Sequence, residues 1–322
     1  MRIRIFLCLL TLLLLCACSQ KAVEPAASSD PSEPVSESES ISETEPEESE
    51  PEKTESEDSS IESIPEESSE EESSEPEPEV LQYDLSATPG LRFDELLQTI
   101  AVPEDADEQT FGYSYLGSYD ELLSEAETLT SQLPVEASAC CFPLEGYILS
   151  MNYELTQNEL PGLKQMLDQS LAVIQDMMVQ SGTSLSLHEV LTRASIVQIE
   201  GSLGERGDAS KTHPEVMAHI ASVIDNRISS GTPLQMDVTR WYAEDLVAQY
   251  GFDSSYEDQY NTYLAAALPL GPIASPSIEA VQAVLYPEQS NDLFFVYAED
   301  GTYYFAETYD EHLANCEKAG LW

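Results

Sequence analysis

The sequence predicts an α+β fold that is confined to the last three quarters of the chain. Residues 19–80 hold 23 acidic residues, two lysines and no aromatic residue, whereas residues 81–322 contain both tryptophans and all 16 tyrosines. Only the second stretch has enough apolar content to bury a core. Within it, segments with helical spacing of apolar residues come first and two short aromatic runs follow. Helices followed by strands in this order are typical of α+β proteins.

The charge balance excludes one class of partner. The chain has 61 Asp and Glu against 12 Lys and Arg, a formal net charge of −49. Binding to nucleic acid requires clustered basic residues that displace counterions, and no window of the sequence supplies such a cluster. We therefore expect no nucleic-acid partner.

The first 17 residues are predicted to be an export signal. Arg2 and Arg4 precede an apolar run of about 11 residues, which is shorter than the roughly 20 that a membrane-spanning helix needs. The run ends in Leu15-Cys16-Ala17-Cys18, which resembles the lipobox of bacterial lipoproteins, with Cys18 as the lipidated first residue of the mature chain. An ordinary secretory signal cleaved after Ala17 is the alternative. Both interpretations place the protein outside the cytoplasm, and the lipobox anchors it at the extracytoplasmic face of the cell membrane.

Residues 18–80 are predicted to be a disordered tether. After Cys18 they are almost entirely Ser, Glu and Pro, so their burial could not offset the entropy of ordering, and their like charges repel. A cation-binding acidic tail is the alternative interpretation.

The folded part begins with four predicted elements. Apolar spacing predicts short helices over 91–100 and 119–132 and a longer helix over 161–180. Between them, residues 144–155 mix aromatic and aliphatic residues with a glycine, which is typical of a strand or an extended loop.

The next helices carry clear start and stop patterns. Ser186 and Glu189 form a capping box, which predicts a helix that ends near Gly201. Another helix is expected from Thr212–Pro214 to a C-cap at Gly231, and a short one over 277–285, after the proline-rich residues 268–277. The aromatic runs 292–297 and 302–305 flank Glu-Asp-Gly and predict a hairpin.

Helical geometry by itself predicts a solvated side chain at Glu200. In the last turn of the helix that begins at Ser186, this residue falls nearly opposite Leu187 and away from the apolar stripe. Pattern alone therefore gives Glu200 no function.

Cysteine and histidine usage predicts neither a disulfide framework nor a metal site. After Cys18 only Cys140, Cys141 and Cys316 remain, an odd number, and a bond from either adjacent cysteine to Cys316 stays open. The four histidines show no metal-ligand spacing. We expect no metal and no cofactor.

A series of short motifs in the second half resembles one enzyme family. In order they are LEGY at 144–147, SLHEVLTRASIVQIE at 186–200, ASVIDNRISSGTPLQMD at 221–237, YNTY at 260–263, ALPLGPIASPS at 267–277, LYP at 285–287, DLFFV at 292–296 and EH at 311–312. This string resembles the YceG-like endolytic murein transglycosylases over residues 142–318. Residues 88–131 are more weakly similar to the small LysM-like α/β subdomain of such proteins. The predicted organisation is therefore a signal peptide at 1–17, a tether at 18–80, a LysM-like subdomain at 81–141, and a helical and mixed-sheet catalytic domain at 142–322.

The resemblance implies a lyase that acts on peptidoglycan glycan strands. Such enzymes cleave the β-1,4 bond between N-acetylmuramic acid and N-acetylglucosamine in nascent strands without water and leave 1,6-anhydro-muramic ends, and peptidoglycan synthases are their expected partners. The family's catalytic glutamate falls on Glu200, which replaces the solvated interpretation. Its substrate-binding motifs fall on these residues: Gln235, Asp237, Tyr260, Asn261 and Tyr263.

Three departures from the family pattern keep a second class of function open. Gln198 stands where the family has another glutamate, residues 149–152 replace an aromatic-Pro-Asp-Thr segment, and Val238 replaces a proline. The alternative is a catalytically decayed lipoprotein that binds wall glycan. A solute-binding lipoprotein is a third interpretation, although about 240 folded residues are few for two lobes around a ligand. Asp237 and Asn261 also have structural interpretations, as a turn or cap residue and as loop packing.

Overall fold

A computed structural model describes residues 82–101, 116–156 and 162–321. The predicted signal peptide, Cys18 and the rest of the predicted tether lie outside these residues. The described residues belong to one compact unit that is built on a continuous hydrophobic core. Residues before and after 142 share that core, and the division into a LysM-like subdomain and a catalytic domain stays a prediction.

Helices dominate the described residues, and the predicted α+β class is confirmed. The helices are α1 Phe93–Ile100, α2 Tyr119–Leu129, α3 Gly162–Ser181, α4 Leu187–Glu200, α5 Pro214–Ser230, α6 Asp237–Tyr250, α7 Ser255–Tyr260, α8 Ile278–Leu285 and α9 Tyr309–Lys318. The strands are β1 Gln82–Ser86, β2 Asn152–Thr156, β3 Phe294–Tyr297 and β4 Tyr303–Ala306. Among the described helices, none combines the length and apolar character needed to cross a membrane.

The strands form two separate antiparallel pairs. β1 pairs with β2, with Gln82 opposite Thr156, and β3 pairs with β4 in the predicted hairpin, with Phe294 opposite Ala306. The segment 144–155, expected to be a strand or an extended loop, turns at 144–147 and enters β2 only at Asn152. Within the described ranges the named strands therefore make no mixed sheet.

The helix α4 lies at the centre of the fold. The predicted capping box is confirmed, since Glu189 donates its backbone N–H to the Ser186 hydroxyl and the Glu189 carboxylate accepts from the Ser186 backbone. The helix packs against α5, α6 and α8, and every residue from Val190 to Glu200 is buried. Because α4 is enclosed on all sides, the prediction of a solvated Glu200 from one apolar stripe was wrong.

Polar side chains on α4 fix the proline-rich segment 268–277 against it. The Ser195 hydroxyl accepts from the Ile273 N–H at 3.0 Å, and the Gln198 side-chain oxygen accepts from the Ser277 N–H at 3.0 Å. Backbone donors that would otherwise be buried without partners are satisfied in this way. The buried Gln198 side chain therefore links α4 to the start of α8 by a hydrogen bond.

Three helices, α6, α7 and α9, were not predicted. Asp237 was predicted to bind substrate or to be a turn or cap residue, and it is the first residue of α6. The short helix α7 then leads into the YNTY segment. The helix α6 packs against α4, and α7 packs against α6.

Candidate active site

The C-terminal end of α4 is held by two tyrosines of the hairpin. The Tyr303 hydroxyl donates to the Glu200 carbonyl at 2.6 Å and accepts from the Leu203 N–H at 3.2 Å. The Tyr297 hydroxyl donates to the Leu203 carbonyl at 2.9 Å. These bonds satisfy backbone groups that a helix end leaves without partners, and they fix where the Glu200 side chain points.

A cavity of about 330 Å³ opens beside this helix end. Its lining combines one carboxyl from α4, one guanidinium from α5, the start of α6 and the hairpin. The lining residues are Glu200, Arg227, Leu234, Gln235, Met236, Asp237, Val238, Trp241, Phe295, Val296, Tyr297 and Leu321. The size and the mixture of apolar walls with a few polar groups suit a small-molecule or oligosaccharide site.

The Glu200 carboxyl is the unusual group in this cavity. The residue is only 7% exposed, and burial raises the pKa of its carboxyl to about 8, with the negative charge of Asp237 adding to the rise and Arg227 opposing it. No group of the described residues forms a hydrogen bond with this carboxyl. It is therefore largely protonated at neutral pH and is free to bond with a ligand.

Arg227 is held in place from α5 by backbone carbonyls. Its guanidinium donates to the carbonyls of Leu293, Pro233 and Leu234, and it lies over the Phe294 ring at 5.2 Å. The guanidinium thus joins the hairpin to the turn that precedes α6. Sequence analysis did not select Arg227, although a lone arginine inside an apolar helical stripe was a signal that could have identified it.

The loop before α6 has a strained backbone at Gln235. This residue adopts a φ of 51°, in the left-handed region that favours glycine. Its N–H donates to the Thr262 carbonyl at 3.1 Å, and the Met236 N–H donates to the Thr262 hydroxyl at 3.0 Å. Thr262, within the YNTY segment, therefore sets the position of Gln235, and sequence analysis missed that role.

The YNTY residues separate into different environments. The Tyr263 hydroxyl donates to the Asp237 carboxylate at 3.2 Å, which brings Tyr263 to the cavity. The Asn261 side-chain oxygen accepts from the Tyr263 N–H at 3.1 Å and shapes the turn. Tyr260 is fully buried and packs on Tyr242 with ring centroids 4.9 Å apart.

The structure thus brings together four of the six residues predicted for catalysis and substrate binding. Glu200, Gln235 and Asp237 line the cavity, and Tyr263 reaches it through Asp237. Tyr260 was predicted to bind substrate, but the structure places it in the core, because the aromatic ring completes the packing between α6 and α7. The Asn261 side chain stabilises a turn, in agreement with its interpretation as a residue of loop packing.

Neither the histidines nor the cysteines add chemistry here. In the ranges that the structure describes, no cluster of three or more His, Cys, Asp or Glu side chains is placed to hold a metal ion. Cys140, Cys141 and Cys316 form no disulfide with one another. Burial raises the pKa of the Cys140 thiol to about 11 and that of the Cys141 thiol to about 12, so neither is a nucleophile.

Comparisons with known proteins point to one family. The model of the YceG-like family matches residues 59–318. A protein named endolytic murein transglycosylase from Streptococcus pneumoniae D39 is 26% identical over 251 residues, which cover 72% of this chain and 43% of that protein. One of the same name from Bacillus subtilis 168 is 30% identical over 184 residues, covering 55% of this chain and 48% of the other.

A solved structure is also similar. The crystal structure of a YceG-like protein from Listeria monocytogenes has 23% sequence identity and a TM-score of 0.49, over 72% of this chain and 75% of that one.

The match to the chain spans less than half the length of the curated relatives. Since the family model covers most of the sequence, the chain belongs to the YceG-like family.

Proposed function

We propose that this protein is an endolytic lytic transglycosylase that acts on peptidoglycan. It cleaves the β-1,4 bond between N-acetylmuramic acid and N-acetylglucosamine inside a strand and leaves a 1,6-anhydro-muramic end. The observation that carries the proposal is the Glu200 carboxyl, which is buried at the cavity wall, has a pKa raised to about 8 and is without a hydrogen-bond partner among the described residues.

One carboxyl serves both proton transfers of this reaction. With its pKa raised to about 8, the Glu200 carboxyl is mostly protonated at pH 7. The acid donates its proton to the glycosidic oxygen as the bond from that oxygen to C1 of the muramic residue breaks. The resulting carboxylate then accepts the proton of the 6-hydroxyl, whose oxygen bonds to C1. Protons and atoms balance without water, which is the outcome that a lytic rather than hydrolytic reaction requires.

Asp237 and Gln235 assist in different ways. The Asp237 carboxylate is held by the Tyr263 hydroxyl at 3.2 Å and by Arg240 at 3.3 Å, and it supplies negative charge toward the positive charge that develops at C1. The Gln235 amide offers both a donor and an acceptor to an acetamido group or a hydroxyl. Asp237 is the first residue of α6 and Gln235 lies in the loop just before it, so the backbone fixes their separation.

The departure at Gln198 does not remove a group from the cavity. Its side chain is completely buried and accepts a hydrogen bond from the Ser277 N–H, and it does not line the cavity beside Glu200. A neutral amide makes this bond without the cost of burying a charge. The geometry favours an active enzyme over a decayed glycan binder.

The test is substitution of Glu200 by Gln in the full-length chain. We expect Glu200→Gln to reduce the formation of anhydro-muramic ends by a factor of about 10² to 10⁴, because the amide neither donates nor accepts a proton in the reaction. Muropeptide analysis after digestion of uncrosslinked glycan strands measures those ends. Glu145→Gln is the matched control, since it replaces another buried carboxyl, which does not line the cavity. Wild-type turnover by Glu200→Gln would refute the assignment.

We further propose that lipid on Cys18 anchors the protein at the extracytoplasmic face of the cell membrane. The support is Leu15-Cys16-Ala17-Cys18 after a short apolar run. Two or more acyl chains anchor a protein stably. Cys18→Ala should move the protein from the membrane fraction to the soluble fraction, with Cys16→Ala as the control. Retention of Cys18→Ala in washed membranes would contradict this anchor.

A further inference from the structure

A second cavity adjoins the candidate active site, and Trp241 lies between the two. This cavity has a volume of about 490 Å³, and Trp241 and Val238 line both. Trp241 is four residues after Asp237 on α6, so the two side chains share a helix face. Its indole is 44% exposed, although large aromatic rings usually bury more of their surface. The exposed ring therefore forms the boundary between Glu200 and the second cavity.

Gly204 leaves the surface beside the Trp241 indole free of a side chain. A Cβ added at Gly204 would lie 3.1 Å from the Tyr297 hydroxyl and 3.9 Å from the Trp241 ring. Gly204 has a φ of 75°, which suits glycine as well. A glycan strand that runs from one cavity to the other would therefore contact the Trp241 indole and meet no side chain at position 204.

The walls of the second cavity combine an apolar surface with carboxylates. Ile199, Val238 and Trp241 are apolar, and Glu95, Glu205 and Asp245 are acidic. A flat aromatic ring packs against the apolar face of a sugar, while carboxylate oxygens accept hydrogen bonds from its hydroxyls. This pairing of groups fits a saccharide better than an apolar ligand or a peptide.

The charges around the second cavity disfavour an anionic ligand. Three carboxylates line it against one cation, Arg206. That guanidinium is already paired with Asp245 at 3.0 Å and approaches Glu95 at 3.9 Å. Arg92, which does not line the cavity, also contacts Glu95, Asp245 and Asp94, and Lys211 lies 4.0 Å from Glu205. These three basic groups are paired with four acidic ones, so a small excess of negative charge remains. A stem peptide, which carries carboxylates, would meet unfavourable negative charge here, whereas a neutral sugar would not.

We propose that the second cavity and Trp241 form a saccharide subsite for a neutral hexosamine that bears no peptide. The sugar belongs to the same strand as the residue at Glu200, so the inference rests on the proposed function and deepens it. Trp241 packs on the ring face of this sugar, and the carboxylates bind its hydroxyls. The subsite selects which residues of the alternating strand are presented at Glu200.

The test measures binding rather than turnover. Full-length Glu200→Gln is titrated calorimetrically with glycan strands whose stem peptides have been removed. We expect Trp241→Ala in this background to weaken binding about tenfold, or about 1.4 kcal/mol, and Trp241→Phe to stay within about threefold of the parent. Tyr286→Ala is the control, because Tyr286 is 51% exposed and lines neither cavity. Circular dichroism verifies folding, and Trp241→Leu replaces the alanine variant if that one does not fold.

The charge preference is tested in the same way. Stripped strands should bind more tightly than strands that keep their peptides, and Glu205→Lys should reduce that difference. Equal affinity of the parent and Trp241→Ala, no binding of stripped strands, or tighter binding of peptide-bearing strands would each overturn the subsite. Because every variant is already blocked at Glu200, these outcomes are independent of the muropeptide assay that tests the proposed function.

Discussion

Glu145 and Glu200 have nearly the same burial but different surroundings. Burial raises the pKa of each carboxyl to about 8. Glu145 has no exposed surface, and its oxygens accept from the Phe93 N–H at 3.0 and 3.1 Å and from the Tyr242 hydroxyl at 3.1 Å. Glu200 lines a cavity and has no such partner in the part of the chain that the structure describes.

The difference separates a structural carboxyl from a reactive one. A raised pKa identifies a group that folding has removed from water, and both glutamates meet that condition. Only a group with unused hydrogen-bonding capacity and access to a cavity can exchange a proton with a ligand. Glu145 uses its capacity to join the start of α1 to α6, whereas Glu200 keeps its capacity unused.

The largest expected effect is on stability. Glu145→Ala leaves the Phe93 N–H and the Tyr242 hydroxyl buried without a partner, so we expect it to lower the free energy of unfolding by about 3 kcal/mol. Below about pH 4.5, where this carboxyl is protonated in both the folded and the unfolded chain, Glu200→Ala removes no hydrogen bond and should change the free energy of unfolding by less than about 1 kcal/mol. Urea denaturation of the full chain measures both. Equal losses would mean that the two carboxyls do not differ as the geometry indicates.

The next effect is a pH dependence that the two glutamates should share. Each has a folded-state pKa of about 8 against a usual value of 4.5, so the folded chain keeps protons that the unfolded chain has released. Their contribution is complete below about pH 4.5 and is lost as the pH rises to about 8, at up to about 1.4 kcal/mol per pH unit for each group.

Replacing either carboxyl by its amide should remove the part of the pH dependence of stability that this carboxyl contributes. We expect the free energy of unfolding of Glu145→Gln and of Glu200→Gln to fall less steeply than that of the wild type between pH 6 and pH 8. Denaturant titrations at several pH values measure the slopes. Activity should distinguish the two variants, since only Glu200→Gln loses it. A wild-type slope in Glu200→Gln would contradict its raised pKa.

The smallest effect concerns Gln198, which lies two residues from Glu200 and points elsewhere. We expect Gln198→Glu to change the rate of anhydro-end formation by less than about tenfold, or 1.4 kcal/mol. The new side chain keeps an oxygen to accept from the Ser277 N–H, and it does not enter the cavity. Muropeptide analysis measures the rate, with Glu200→Gln as the inactive reference. Activity that appears only with Gln198→Glu would support a decayed enzyme instead.

Local patterns predicted elements that begin and end with recognisable caps. The capping box at Ser186, the early proline at Pro214 and the left-handed Gly231 all occur as expected. The helix α6 was missed because Met236 occupies its N-cap position and makes no side-chain cap, although Val238, Tyr242 and Leu246 follow helical spacing. The helix α9 does have a capping box at Thr308 and Glu311, which sequence analysis overlooked.

The site could be predicted only in part, since its residues come from separate elements. Motif resemblance located Glu200, Gln235 and Asp237, but Arg227 and Trp241 enter the cavity through tertiary packing. Tyr260 shows the opposite error, in which a motif residue predicted to bind substrate lies in the core. An aromatic residue in a motif suits both a sugar face and a core, and only the packing against Tyr242 decides between them.

The left-handed backbone at Gln235 has a consequence for protein engineering. A residue with a Cβ in this conformation lowers the free energy of unfolding by about 1 kcal/mol relative to glycine. Gln235→Gly is therefore an obvious substitution for stabilising the protein. The natural sequence keeps an amide there despite that penalty. Gln235→Gly would also remove an amide from the wall of the cavity, which makes position 235 one to protect in any thermostable variant.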